Sequence, residues 1–227
     1  MVILLFGPPG CGKGTQSQRI TEVTGYPAIS TGSLLRDASR EVSRAAGRLR
    51  RILNSGGLVD DETVNRFLID RITQEDCRTG FLLDGYPRTV QQARFFDRHL
   101  AQTRFGSPLV IHLDVAPETL VSRISARREC PACGRVYNLF HKQPRQAGVC
   151  DQDRTPLLAR ADDDISVVAR RIREFQEMTD PVMAYYEGRN YIRLDGERTP
   201  DEIAFDIERV LVDRGLTIQQ PLLIKRA

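Results

Sequence analysis

The chain has 227 residues, 41% of them hydrophobic and 28% charged, which excludes disordered, collagen-like and fibrous chains as descriptions of the whole. Its 33 basic and 30 acidic residues leave a net charge of +3, too small to argue by itself for a nucleic-acid or membrane partner. The five cysteines are an odd number, and Cys130, Cys133 and Cys150 lie close together, which suits a metal cluster in a reducing cytoplasm better than a disulfide framework.

The opening MVILLF is apolar but lacks a basic flank and breaks at Gly7-Pro8-Pro9, too short for a signal peptide. No apolar run of about 18 residues, the length that spans a membrane, follows it. Short apolar runs then alternate with helical patterns, the signature of parallel βαβ units in an α/β fold. Strands are expected at Val2 to Phe6, Ala28 to Ser30, Phe81 to Asp84, Leu109 to Asp114 and Tyr191 to Leu194. Helices are expected from Lys13 through Val23, from Thr89 to Leu100 behind Pro87, and from Pro117 onward. One long helix should run from Asp164 to Glu187, and a last one from Pro200 to Arg214, with Gly215 as its cap. Two stretches interrupt the alternation and read as insertions. Residues 31–59 suggest short helices broken at Asn54-Ser55-Gly56-Gly57, and residues 128–162 are polar and loop-like. Residues 216–227 carry no pattern.

Directly after the first strand stands Gly7-Pro8-Pro9-Gly10-Cys11-Gly12-Lys13-Gly14-Thr15, with a helix behind it. Such a loop turns backbone amides inward onto an anion, the helix N-terminus adds a positive dipole, and Lys13 reaches the β and γ phosphates as a point charge. Gly14 occupies the place where a P-loop usually carries the Ser or Thr that ligates Mg²⁺, so the metal should be held mainly by phosphates and waters. Asp84 ends a strand at the carboxyl edge of the sheet, where a carboxylate can hold Mg²⁺-bound water or cap the turn Gly85-Tyr86-Pro87; beside a P-loop the metal role is favoured. Arg88 is close enough to aim its guanidinium into the same cleft.

Cys130-x₂-Cys133, sixteen residues, then Cys150-x₂-Asp153 has the spacing of two zinc knuckles. Four ligands close a tetrahedral shell and leave no open position, so the ion should be structural. Asp151 competes as fourth ligand but adjoins Cys150, too close for knuckle geometry. Cys11 and Cys77 read as buried fillers, and His99, His112 and His141 sit in no motif.

Four stretches, GPPGCGKGT at 7–15, STGSLLR at 30–36, FLLDGYPRT at 81–89 and the cysteine cluster at 130–153, resemble the adenylate kinase family, a similarity running from residue 1 to residue 214. The resemblance implies a P-loop core with a five-stranded parallel sheet over residues 1–29, 60–126 and 164–215. It also implies an AMP-binding insertion at 30–59, a zinc-stapled lid at 127–163 and a tail at 216–227. It implies Mg²⁺-dependent phosphoryl transfer from ATP to AMP, giving two ADP, by a cytoplasmic monomer with neither nucleic-acid nor membrane partners. ATP would meet Gly10, Cys11, Gly12, Lys13, Gly14, Thr15, Arg123, Arg127, Val136, Tyr137 and Arg198. AMP would meet Thr31, Arg36, Gly57, Leu58, Val59, Gly85, Tyr86, Pro87, Arg88 and Gln92. Arg160 and Arg171 would reach both nucleotides' phosphates, and Lys13, Asp84, Arg88, Arg123, Arg160 and Arg171 would carry catalysis. Arg123 and Arg127, one helical turn apart, should share a face. Ser33 stands where the family usually carries Asp, and Tyr86 where it carries Phe.

Two other functions are weighed. A kinase acting on UMP or CMP is disfavoured by the long lid and by Thr31 and Gln92. A nucleic-acid-binding zinc ribbon would rest on Arg135, His141, Lys142 and Arg145, a modest basic set followed by Asp162-Asp163-Asp164.

Overall fold

The computed structural model describes residues 1–40, 43–54, 59–140, 142–159 and 165–218; the side chains of residues 44, 45, 54, 165, 166 and 171 also lie outside the description. In chain order the elements are β1 (Val2–Phe6), α1 (Lys13–Thr24), β2 (Ala28–Ser30), α2 (Thr31–Ser39), α3 (Arg44–Asn54) and α4 (Asp61–Ile72). Next come β3 (Phe81–Asp84), α5 (Val90–Ala101), β4 (Leu109–Asp114), α6 (Pro117–Ser125), β5 (Arg127–Glu129) and β6 (Val136–Asn138). The chain continues with α7 (Ile165–Met178), α8 (Asp180–Tyr186), β7 (Tyr191–Asp195) and α9 (Pro200–Asp213).

The strands β2, β3, β1, β4 and β7 lie in that order in one sheet, every pair parallel. Strand alternation sends Val2, Leu4, Phe6, Phe81, Leu83 and Val110 to one face, where they pack with residues of α2, α4, α5 and α8. Ile3, Leu5, Leu82, Leu109, Ile111 and Leu113 go to the other, against α1, α6, α7 and α9. Both faces are therefore covered, which is why β1, β3 and β4 read as unbroken apolar runs. The fold is α/β, a five-stranded parallel sheet between two helical layers, as expected.

Three differences from the expectations have local causes. The helix expected from Asp164 to Glu187 is two helices; Thr179 ends the first by bonding back to Phe175 (2.7 Å), and Pro181, lacking an N–H, starts the second. Helix α4, not singled out from sequence, buries Val64, Leu68 and Ile72 at fourfold spacing behind an Asp60 cap that accepts the Thr63 N–H at 2.8 Å. Within the stretch read as loop-like, β5 and β6 form an antiparallel ribbon, and Glu129 bridges to Leu158 on its other side. The break at Ser55-Gly56-Gly57 lies outside the described residues, as do residues 219–227 of the tail. Gly215, with φ 79°, follows α9, and the bonds Gly215 N to Val212 O (2.8 Å) and Leu216 N to Leu211 O (3.0 Å) close it.

Candidate functional site

β1 lies at the centre of the sheet, so the loop after it emerges at the sheet's carboxyl edge, where open α/β sheets bind ligands. A Cβ on Gly7 would stand 2.4 Å from Cys11 Sγ and 2.7 Å from Leu113 O, so only glycine lets the loop fold this tightly against β4. Gly12, at φ 103°, caps α1 without any side-chain acceptor, and no acidic residue occupies the first turn. The first-turn N–H groups consequently face an uncapped helix end, the electrostatic setting that suits a phosphate. Lys13 Nζ folds over the loop and donates to Gly7 O (2.5 Å) and Pro8 O (3.0 Å).

β3 delivers the second part of the site. Asp84 ends the strand in register with Leu5 of β1 and Ser30 of β2, and among the described residues no donor engages its carboxylate. Gly85, at φ 77°, reverses the chain, followed by a cis Tyr86-Pro87 peptide and the exposed Arg88, whose Nε donates to Gly85 O at 3.0 Å. Thr31, first residue of α2, donates its hydroxyl to the same Gly85 carbonyl (3.2 Å), joining α2 to this loop. Arg36, exposed in the last turn of α2, lays its guanidinium against Gly32. The buried Tyr86 hydroxyl donates to Asn65 Oδ1 at 2.7 Å, so its burial leaves no orphan.

Gln92 is only 3% exposed and its amide is engaged inside the protein. Its Oε1 accepts the Arg88 main-chain N–H (2.7 Å) and its Nε2 donates to Asp61 Oδ1 (2.7 Å). Asp61 escapes sequence reading, although Thr89-x-x-Gln92 carries the pattern of a helix capping box; the Thr89 hydroxyl does accept the Gln92 N–H (3.1 Å).

The ATP-side candidates are distributed differently. Arg123 donates to Gly196 O (2.9 Å) and Glu197 O (3.4 Å). Its expected helical partnership with Arg127 is corrected: α6 ends at Ser125, and Arg127 begins β5. Arg198 pairs with Asp206 of α9. Val136 points outward on β6, whereas its neighbour Tyr137, 2% exposed, packs against Cys130 and Cys150. Gly57, Leu58 and Arg160, and the side chain of Arg171, lie outside the described residues; Val59 is buried in the core.

Around the β5–β6 ribbon, Cys130, Cys133, Cys150 and Asp153 converge, with one potential ligand atom from each within 4.8 Å of all the others. Cys133 and Cys150 sulfurs stand 3.6 Å apart and Asp153 oxygens 3.3 and 3.4 Å from Cys130 Sγ. A tetrahedral ion with metal–sulfur bonds of about 2.3 Å sets its sulfurs about 3.8 Å apart, so the donor set fits zinc. Two matching turns present it. Gly134 N bonds to Cys130 O (2.9 Å) and Arg154 N to Cys150 O (3.0 Å), and both fourth residues are left-handed, φ 72° and 62°. Asp151 instead accepts the Arg145 N–H at 2.8 Å and stays out of the cluster. The Thr155 N–H holds the Asp153 carboxyl below the usual carboxylate range. The Tyr137 hydroxyl accepts the Asp151 N–H (2.8 Å), which leaves its proton for Cys150 Sγ 3.4 Å away.

A glycine loop over an uncapped helix at the centre of a parallel sheet, with a lysine upon it, defines a nucleotide-binding P-loop protein. A family model described as adenylate kinase matches residues 5–191. An adenylate kinase of Pelobacter propionicus is 40% identical over 212 residues, covering 93% of this chain and 96% of its own. Those of Thermoanaerobacter sp. (38% over 216 residues, 95% and 100%) and Thermotoga maritima (39% over 214 residues, 93% and 97%) are similar to it along nearly their whole length. The chain belongs to the adenylate kinase family.

Proposed function

We propose that this chain transfers the γ-phosphoryl group of ATP reversibly to AMP, giving two ADP. The observation that carries the reading is the uncapped start of α1 beneath the glycine loop, with Lys13 on that loop and Asp84 and Arg88 emerging from neighbouring β3 at the same sheet edge. Family membership selects the reaction among those a P-loop can serve.

The acceptor oxygen of AMP is already anionic. It bonds to the γ-phosphorus as the bond to the β–γ bridging oxygen breaks, and no proton needs removing. The protein's task is then to position two polyanions and neutralise the charge that spreads over the transferred group. Lys13 and the amides of Gly10, Cys11, Gly12, Gly14 and Thr15 hold the donor phosphates. Arg123, Arg127 and Arg198 act on the ATP side, with Val136 and the main chain of Tyr137 at its base. Thr31, Arg36, Gly57, Leu58, Val59, Gly85, Tyr86, Pro87, Arg88 and Gln92 hold AMP, and Arg160 and Arg171 bridge the two. Mg²⁺ bound with ATP supplies further positive charge; Asp84 and the Thr15 hydroxyl are the hard oxygen donors present to hold it through water, since Gly14 has no hydroxyl. Residues 30–59 act as the AMP-binding insertion and residues 127–163 as a lid that excludes water, stapled by zinc on Cys130, Cys133, Cys150 and Asp153. A cytoplasmic monomer completes the reading. The five cysteines, three of them on zinc in this reading, suit a reducing compartment.

A coupled assay offering AMP, UMP, CMP and GMP tests the reading. AMP should be the best acceptor, and Lys13→Ala and Arg88→Ala should each lower kcat/KM by about 10²-fold or more. A pyrimidine monophosphate preferred over AMP, or full activity in Lys13→Ala, overturns it.

A further inference from the structure

The AMP side of the proposed site depends on a residue that stands on another element. Asp61 opens α4, directly beyond residues 57–59. Its Oδ2 accepts the Thr89 hydroxyl proton (2.8 Å) and its Oδ1 an Nε2 proton of Gln92 (2.7 Å). Gln92 Oε1 in turn accepts the Arg88 N–H (2.7 Å).

The chemistry of the groups fixes the direction of every bond. A carboxylate offers only acceptors, so Asp61 forces the NH₂ end of the Gln92 amide toward α4 and its oxygen toward Arg88. Turned over, the amide would set its oxygen against a carboxylate and its NH₂ against the Arg88 N–H, losing two bonds inside a buried network. Once oriented, the amide has one N–H and one oxygen lone pair uncommitted.

We infer that Asp61 is a positioning residue for the monophosphate acceptor, orienting the Gln92 amide and the Arg88 main chain while touching no substrate itself. The inference rests on the AMP reading given above. With its amide fixed in one sense, Gln92 offers an acceptor base one settled order of donor and acceptor, so the choice between a 6-aminopurine and a 6-oxopurine, which present reversed patterns, depends on Asp61.

The test compares Asp61→Ala, Asp61→Asn and wild type for AMP, GMP and ATP. Asp61→Ala should raise KM for AMP about tenfold, equivalent to about 1.4 kcal/mol, with KM for ATP unchanged within twofold. The preference for AMP over GMP should shrink in parallel. Asp61→Asn should recover most of the loss, because its oxygen can still face Gln92 while its NH₂ donates to the Thr89 hydroxyl. In a Gln92→Ala background, Asp61→Ala should add little, since the pathway through the amide is already cut. An unchanged KM for AMP in Asp61→Ala overturns the inference, as does a parallel rise for both nucleotides or full additivity with Gln92→Ala. Failure of the wild type itself to use AMP would instead overturn the functional reading.

Discussion

The sheet core and residues 127–158 of the proposed lid are held together by different means. Each face of the sheet collects a large cluster of fully buried aliphatic and aromatic side chains, and burying each contributes about 1.5–3 kcal/mol. The lid's own cluster consists of Cys130, Tyr137 and Cys150 with Leu157 against it, too little apolar surface to offset the entropy of ordering that stretch. It instead converges four side chains suited to hold a metal and ties them with main-chain bonds. The difference teaches where each part is vulnerable: the core to loss of volume or burial of charge, the proposed lid to loss of those four side chains.

Metal removal should separate the two regions most sharply. Chelation, or Cys150→Ala, should abolish hydrogen-exchange protection at lid amides such as Gly134 and Arg154, which structural zinc would otherwise hold with about 10–16 kcal/mol of binding energy. Amides of β1 and β4 should keep their protection. Equal loss in both regions would show that the lid is no separate unit.

A smaller effect is expected of Tyr137→Phe, which keeps the ring and deletes the hydroxyl between Asp151 N and Cys150 Sγ. Zinc affinity, measured against a chromophoric chelator, should fall about 10- to 100-fold, the usual cost of losing a group that supports a ligand. Undiminished affinity would reduce Tyr137 to packing.

The smallest effect belongs to the core. His112, 9% exposed on β4, meets the Tyr191 hydroxyl at 2.7 Å, near Asp114, Arg193 and Lys13. Burial first, then Arg193 and Lys13, hold its imidazole below the ordinary value of 6.5, against the opposing pull of Asp114. As pH falls the unfolded chain therefore takes up this proton before the folded one does. The contribution is complete above pH 6.5 and is lost as pH falls toward the folded value, by at most about 1.4 kcal/mol per pH unit. His112→Asn should flatten the decline of Tm between about pH 6.5 and 5. An equally steep decline in the variant would assign it to other groups.

How much was legible in the sequence follows from how local each feature is. Val2–Phe6, Phe81–Asp84 and Leu109–Asp114 match their expected limits because burial on both faces leaves an unbroken apolar run with a polar end. The phosphate loop is contiguous, and the Cys/Asp cluster comes in two close pairs, so spacing alone exposes both. Asp61 and Gln92 are 31 positions apart, and only the packing of α4 against α5 brings them together. On β6, strand alternation turns the Tyr137 ring inward and Val136 out, an orientation that needs the ribbon to be known. The break at Thr179 was legible in Pro181, but the continuing apolar spacing on either side masked it.

The pairing of Glu129 with Leu158 (2.8 and 2.9 Å) closes the lid at its base. It holds the two ends of a stretch of some thirty residues side by side, so that between them the chain leaves and returns like one long hairpin loop. A two-residue turn can close two strands so paired. What lies between Glu129 and Leu158 can therefore change in length without separating those two ends.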